Sequence, residues 1–152
     1  MIKTNKVMDT IITNQTNNSL GELEKMDSII AEIVENTFRV NECVIYGEND
    51  IENINHEKVM EIYKGRTNYE IACNEIIYKK NRCSQKLYEI LGERLCKELT
   101  EKYNEKFVIY ISEQELNDFF EIRLHVDRTN DGEDFWLDED LDKYNEPIMM
   151  IY

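Results

Sequence analysis

The sequence predicts an α+β domain whose helical N-terminal two-thirds pack on a small antiparallel β-sheet of three to four strands at the C-terminus. Three observations carry this. Apolar residues recur every three to four positions through much of the stretch from Leu20 to Tyr103. They alternate at every second position from Phe119 to Asp127, where Phe120, Ile122, Leu124 and Val126 share one face. One Pro and five Gly in 152 residues are too few for a loop-rich all-β domain. A hydrophobic content of 41% is enough for one modest core, so the chain reads as a single domain over 20–152 preceded by an arm or short helix over 1–19.

The elements follow in order. Val7, Met8, Ile11 and Ile12 have helical spacing in the arm, and 14–19 reads as a linker. Ser19 and Glu22 form a capping-box pattern ahead of Leu20, Leu23, Met26, Ile29, Ile30 and Ile33, which predicts a helix over 20–38. The stretch from Val40 to Tyr46 fits a strand and a continued helix equally. A loop begins at Gly47, and Asn53 or Asn55 is placed to cap a helical region that starts near Val59 and breaks near Gly65. A third helical pattern runs from Asn68 to Tyr103, as one helix or as two meeting at Lys79-Lys80-Asn81-Arg82, a basic run read as a solvated helix face. Strands are predicted at Phe107–Ile111 and Phe119–Asp127 from their β-branched and aromatic content. Asn130-Asp131-Gly132 signals a hairpin leading to a third strand that includes Phe135–Leu137. After Pro147, Ile148–Tyr152 reads as the last strand.

Charge narrows the function. With 32 acids against 18 bases the chain carries -14, which repels the phosphate backbone of nucleic acids. It fits a basic partner, or solubility alone. The excess is concentrated: residues 113–146 hold 13 acids and 3 bases. Cys43, Cys73, Cys83 and Cys96 lack the paired spacing of a zinc site and read as buried free thiols, as in a reducing cytoplasm. The N-terminus leads into no continuous apolar core of a signal peptide, and no apolar run approaches the ~20 residues that span a bilayer. The expectation is a cytoplasmic protein with no cofactor and no membrane contact.

Three constellations are candidates for function. Glu121, Arg123 and His125 emerge on one strand face, the residue types of a metal-independent ribonuclease: base, acid and charge stabiliser. The alternative is an ordinary solvated or interface-facing strand. Asp127-x-Thr129-x-Asp131-Gly132, followed by Asp138, partly matches a calcium loop. Thr129 and Asp138 depart from that pattern, and a tight turn explains it without an ion. The third constellation is a binding surface in which Phe135 and Trp136 are anchors amid Glu133, Asp134, Asp138, Glu139, Asp140 and Asp142, with Glu121 and Asp127 beside them. Large aromatics anchor interfaces, and rim charges steer a partner of opposite sign. The alternative is that Phe135 and Trp136 are core and the acids a solvated edge that deters aggregation.

The segment Gly132-Glu133-Asp134-Phe135-Trp136, followed by Leu141-x-x-Tyr144-x-x-Pro147-Ile148, resembles small intracellular immunity proteins of bacterial toxin systems, including contact-dependent inhibition systems. The resemblance implies a single acidic α+β domain that binds and blocks a toxin domain, and it assigns no site residue. Phage-encoded acidic inhibitors of nuclease defences, which mimic nucleic acid, are similar almost as closely. The expectation is therefore a non-enzymatic inhibitor of a basic protein, a toxin nuclease above all. A phage inhibitor of a CRISPR or restriction nuclease comes second and an RNase-like enzyme third.

Overall fold

A computed structural model of the chain describes residues 1–13, 20–47, 55–114, 116–138 and 140–152. Among them are five helices and seven strands: β1 (Ile2–Thr4), α1 (Lys6–Thr13), α2 (Leu20–Glu35), β2 (Thr37–Val40), β3 (Cys43–Tyr46), α3 (His56–Tyr63), α4 (Arg66–Cys73), β4 (Glu75–Lys79), α5 (Tyr88–Tyr103), β5 (Phe107–Glu113), β6 (Phe119–Val126) and β7 (Ile148–Ile151). Five strands form an antiparallel sheet in the order β1-β7-β5-β6-β4, and β2 and β3 form a separate two-stranded ribbon.

The α+β class stands, but the expected division into helices first and sheet last does not. The sheet has five strands, and two of them, β1 and β4, come from stretches expected to be an arm and a long helix. β4 escaped because Ile76 and Ile77 continue the three-and-four spacing of Ala72 and Cys73. Its burial instead alternates, with Ile76 and Tyr78 inside and Glu75, Ile77 and Lys79 outside, the signature of a strand. The basic run is the end of β4 and a single 3-10 turn, not the face of a long helix. Lys80 reaches the buried Glu113 at 3.1 Å, and Arg82 lies over the Tyr78 ring. The undecided stretch at 40–46 is the β2–β3 ribbon, turned by Asn41 at φ 53°. Phe135–Leu137 is not a strand. β6, the strand it would have to join as a hairpin, is already paired on both edges, by β5 and β4.

One face of the sheet carries the main core. Ile109, Ile111, Phe120, Ile122, Leu124 and Met149 meet the apolar stripes of α2 and α5, including Ile30, Ile33, Leu91 and Leu95. Gly92 permits the close approach of α5 to β7, since a Cβ there would stand 2.5 Å from Ile151 Cδ1. β1 pairs with β7, and α1 buries Met8 in the same core, so residues 1–13 pack into the body. The expected 14–19 linker, the Ser19 cap and Asn53 lie outside the described residues. Asn55 does cap α3, its side chain accepting from the Lys58 N–H at 3.1 Å.

The ribbon is joined to the sheet by side chains. The Gly47 N–H bonds Asn36, which continues the β2–β3 ladder and turns the polar groups of Val44 and Tyr46 outward. On β6, Leu124 and Val126 lie beyond the reach of β4 and face the same gap. Glu70 on α4 and Asn74, the residue that caps its C-terminus one turn later, fill it. Glu70 accepts from the Val44 N–H at 2.6 Å and the Val126 N–H at 2.8 Å. Asn74 donates to Val44 O and Leu124 O and accepts from the Tyr46 N–H. Arg128 completes the set with a two-pronged pair to Glu70 at 2.7 and 2.8 Å, and it also donates to Glu42 O. Glu70 and Arg128 are both buried.

Removing one member of such a pair strands a buried charge, at a cost of about 3–5 kcal/mol. Glu70→Ala is expected to lower stability to urea by that amount, and a loss below ~1 kcal/mol would show that the bridge is dispensable.

Candidate functional site

The second face of the sheet is covered differently. Between β6 and β7 the chain crosses it as an irregular strap, 127–147, which packs Phe135, Leu137, Leu141 and Tyr144 onto Val108, Tyr110, Ile148 and Met150. This strap is the acidic run. Three of its carboxylates, Asp131, Glu133 and Asp142, hold it to α4 and α1. Glu133 accepts from the Thr67 N–H at 2.9 Å at the start of α4 and from Arg66 Nε at 2.7 Å. Burial pushes the Glu133 pKa up, but the Thr67 N–H and Arg66 outweigh it and hold the carboxyl below its usual range. Asp142 accepts from the Lys6 N–H at the start of α1 at 3.0 Å and pairs with Lys6 Nζ at 2.9 Å; these bonds hold its pKa below the usual range. Both carboxylates sit where a helix N-terminus favours negative charge. Asn5 accepts from the Met8 N–H and donates to Tyr144 O and Glu146 O, which fixes the far end of the strap.

The other expected site residues fall as follows. Asp127 is turned onto Thr129, accepting from its N–H and hydroxyl. Asp138 pairs with Lys143 at 2.5 Å and accepts from the Asp140 N–H. Asp134 and Asp140 are exposed; Phe135 is half-buried, 5.2 Å from the Tyr152 ring and 6.3 Å from that of His125. Glu139 lies outside the described residues. The residues of the calcium-like loop have separate partners, because Asp131 bonds Arg66 rather than turning toward Asp127 or Asp138. Among the described residues no group of three or more His, Cys, Asp or Glu side chains is placed to hold a metal. The four cysteines are free thiols. Burial raises the pKa values of all four, and Cys43 and Cys83 reach about 12.

The strap leaves part of the second face open. There Glu121 and Arg123 line a cleft of about 330 Å³ together with Glu75, Trp136, Tyr144 and Glu146. Past Ser112, Gln114 and Glu121 it continues into an apolar hollow of about 270 Å³ around Ile77 and Phe119. Arg123 is held by Glu75 at 2.9 Å, by Glu121 and by the Ile71 carbonyl, and its guanidinium lies 5.1 Å from the centre of the Trp136 ring. Trp136 stands edge-on to Tyr110 at 5.3 Å. Three large apolar side chains stay exposed around the cleft: Ile77 at 56%, Phe119 at 39% and Trp136 at 37%. The sequence reading missed Ile77 and Glu75, although the period-2 pattern Glu75-Ile76-Ile77-Tyr78-Lys79 was there to find them.

His125 is not in this cleft. It is 1% exposed and lies beneath the strap. Its Nδ1 lies 2.8 Å from Val126 O, which only accepts, so Nδ1 carries the proton and Nε2 accepts from the Tyr110 hydroxyl at 3.1 Å. Both ring nitrogens are engaged, and Glu121 pairs with Arg123. The three groups of the ribonuclease-like constellation therefore do not converge on one accessible point.

The site thus belongs to an α+β protein with an acid-rimmed, partly apolar cleft on the strapped face of its sheet. The chain is a member of the uncharacterized protein PM0498 family, matched over residues 3–152. No curated protein and no solved structure matches it. Among the described residues no helix is long and apolar enough to cross a membrane.

Burial pushes the His125 pKa down from 6.5 to about 4. The unfolded chain takes up this proton near 6.5, so the stabilising contribution of His125 is whole above that pH and is lost as pH falls through about 4. An NMR titration of His125 is expected to give a midpoint near 4, and one near 6.5 would contradict the buried, doubly bonded ring.

Proposed function

We propose that this protein is a non-enzymatic binding protein that docks a cationic protein partner in the cleft between β4 and the strap, and that it acts there as an inhibitor of the immunity type, blocking a basic cleft such as that of a toxin nuclease. The carrying observation is the exposure of Trp136, Ile77 and Phe119 together around a cleft lined by Glu75, Glu121 and Glu146 against the single guanidinium of Arg123. Interfaces are built in this way, with large apolar anchors at the centre and charge at the rim. The chain's -14 gives long-range attraction to a basic partner and repels nucleic acid itself.

The acids divide into two groups. Glu133 and Asp142 cap helices and belong to the fold, so their removal weakens the body before it weakens binding. Asp134, next to Phe135 in the chain, and Asp140 are exposed and cap no α-helix, so they are the ones available to steer.

Asp134→Lys with Asp140→Lys is expected to slow association with the partner about ten-fold at low salt and to leave the folded state intact, because rim charges act on encounter rates. Trp136→Ala is expected to raise the dissociation rate by a similar factor, about ten-fold. The measurement is capture of proteins from the native host on immobilised wild-type and variant protein, followed by binding kinetics on the retained species. A basic protein held by the wild type and lost by the variants supports the reading; retention of the same proteins by all forms removes it. Hydrolysis of RNA by the pure protein, abolished by Arg123→Ala, would restore the enzymatic alternative.

A further inference from the structure

The edge of β4 carries an inference that rests on this reading and goes a step further: it gives the backbone form of the partner. The Lys80 N–H donates to Asp118 O at 2.9 Å, and these residues stand opposite each other in the register that pairs Lys79 with Phe119. In an antiparallel ladder bonded and non-bonded pairs alternate, so Tyr78 and Ile76 exchange bonds with Phe120 and Ile122. Glu75, Ile77 and Lys79 then turn their N–H and C=O groups away from β6. The order β1-β7-β5-β6-β4 puts β4 at the rim of the sheet. Among the described residues no hydrogen bond is made by the backbone N–H or C=O of Ile77 or Lys79 outside the β4–β6 ladder.

An open edge is a hazard that folds normally blunt with a very short strand, a proline or charges along it. The opposite rim obeys this: β1 has three residues and carries Lys3 at its centre. β4 has five, its charges are at the ends, and its central outward residue is Ile77, 56% exposed. The side chains of Glu75 and Ile77 lie on the same face as Glu121 and Arg123, their cross-strand partners, so this edge is also a wall of the cleft. Self-pairing of two copies would bring together two chains that each carry -14.

We propose that the cationic partner binds as an extended segment that adds a sixth strand to the sheet along β4. Its backbone takes up the outward N–H and C=O groups of Glu75, Ile77 and Lys79. On the cleft face it places an apolar side chain against Ile77 at the Phe119 hollow and a basic one beside Glu75. In strand addition main-chain bonds supply affinity, and the side-chain positions on one face supply selection.

The test uses the whole chain, labelled with nitrogen-15, and the blocked peptide Arg-Arg-Thr-Val-Thr-Gln together with its reverse, so that parallel and antiparallel addition are both sampled. Alternate residues of this peptide put Arg, Val and Gln on one face, opposite Glu75, Ile77 and Lys79. Binding is expected to slow hydrogen exchange at the amides of Glu75, Ile77 and Lys79. Methylating the backbone nitrogens of the peptide is expected to weaken it at least about ten-fold through lost ladder bonds, and so is replacing its arginines by glutamates. Ile77→Pro removes an outward donor that β6 does not use and is expected to weaken binding similarly. The methylated peptide gives the same answer with the protein untouched, should that variant fold poorly.

Peptide binding that leaves those three amides unprotected, or that tolerates methylation, overturns strand addition and leaves the cationic-partner reading standing. Failure of the peptide to bind while the chain still retains a basic host protein does the same. Failure of both removes both. Protection of the three amides in a dimer of the free protein assigns the edge to a second copy and overturns the proposal.

Discussion

The Glu70 carboxylate accepts four hydrogen bonds. Two come from the Arg128 guanidinium, one from the Val44 N–H and one from the Val126 N–H. Burial pushes its pKa up, while Arg128 and then the two backbone donors pull it down, and the ionised form is the one that this set of donors satisfies. With Asn74 it does the work of a missing strand. The ribbon offers the polar groups of Val44 and Tyr46, β6 offers those of Leu124 and Val126, and the two side chains bond both rows. Without them five buried backbone groups lose their partners, each costing about 1–3 kcal/mol. The position of α4 follows from this bridge, and with it the start of β4 at Glu75 and the anchoring of Arg128, where the strap begins.

The strap depends on that frame in turn. Glu133 holds it to the first turn of α4 and Asp142 to the first turn of α1, and Asn5 fixes its end. Acidic charge that looks, along the sequence, like a single surface is thus divided by the fold into helix caps and an exposed remainder. The strap also decides what is open. It seals His125, Val108 and Met150, and it stops short of β4, so the cleft exists because the crossing covers three strands of a five-stranded sheet. Trp136 stands at the boundary, packed on Tyr110 on one side and facing the cleft with Arg123 on the other.

Much of the local structure was legible. The strand beginning at Phe107 and the last strand come from their apolar, strand-favouring runs, which the fold buries on both faces. The helix beginning at Leu20 and the strand beginning at Phe119 come from periodicity, because each packs one face on the core and must be apolar at the matching interval. The inward and outward faces of β6 were read correctly for the same reason. β4 was misread because five residues between two helices are too few to outweigh the helical spacing around them. The hairpin expected at Asn130-Asp131-Gly132 failed although its turn residues are there, with Gly132 at φ 83°, since a hairpin must pair with the strand before it and both edges of β6 are taken by β4 and β5. His125 looked accessible because alternation gives the side of the sheet and not what lies over it.

By itself the sequence determined the α+β class, the burial of the apolar face of β6, the excess of negative charge and its concentration beside Trp136. These depend on residue type and on spacing within a few positions, which a linear chain displays. The tertiary structure alone decided which carboxylates are caps, which side of the sheet is strapped, that Glu70 and Arg128 meet 58 positions apart, and that β4 stands at the rim of the sheet. Those outcomes turn on which distant segments compete for the same edges and donors, and that competition is settled only when the chain has closed on itself.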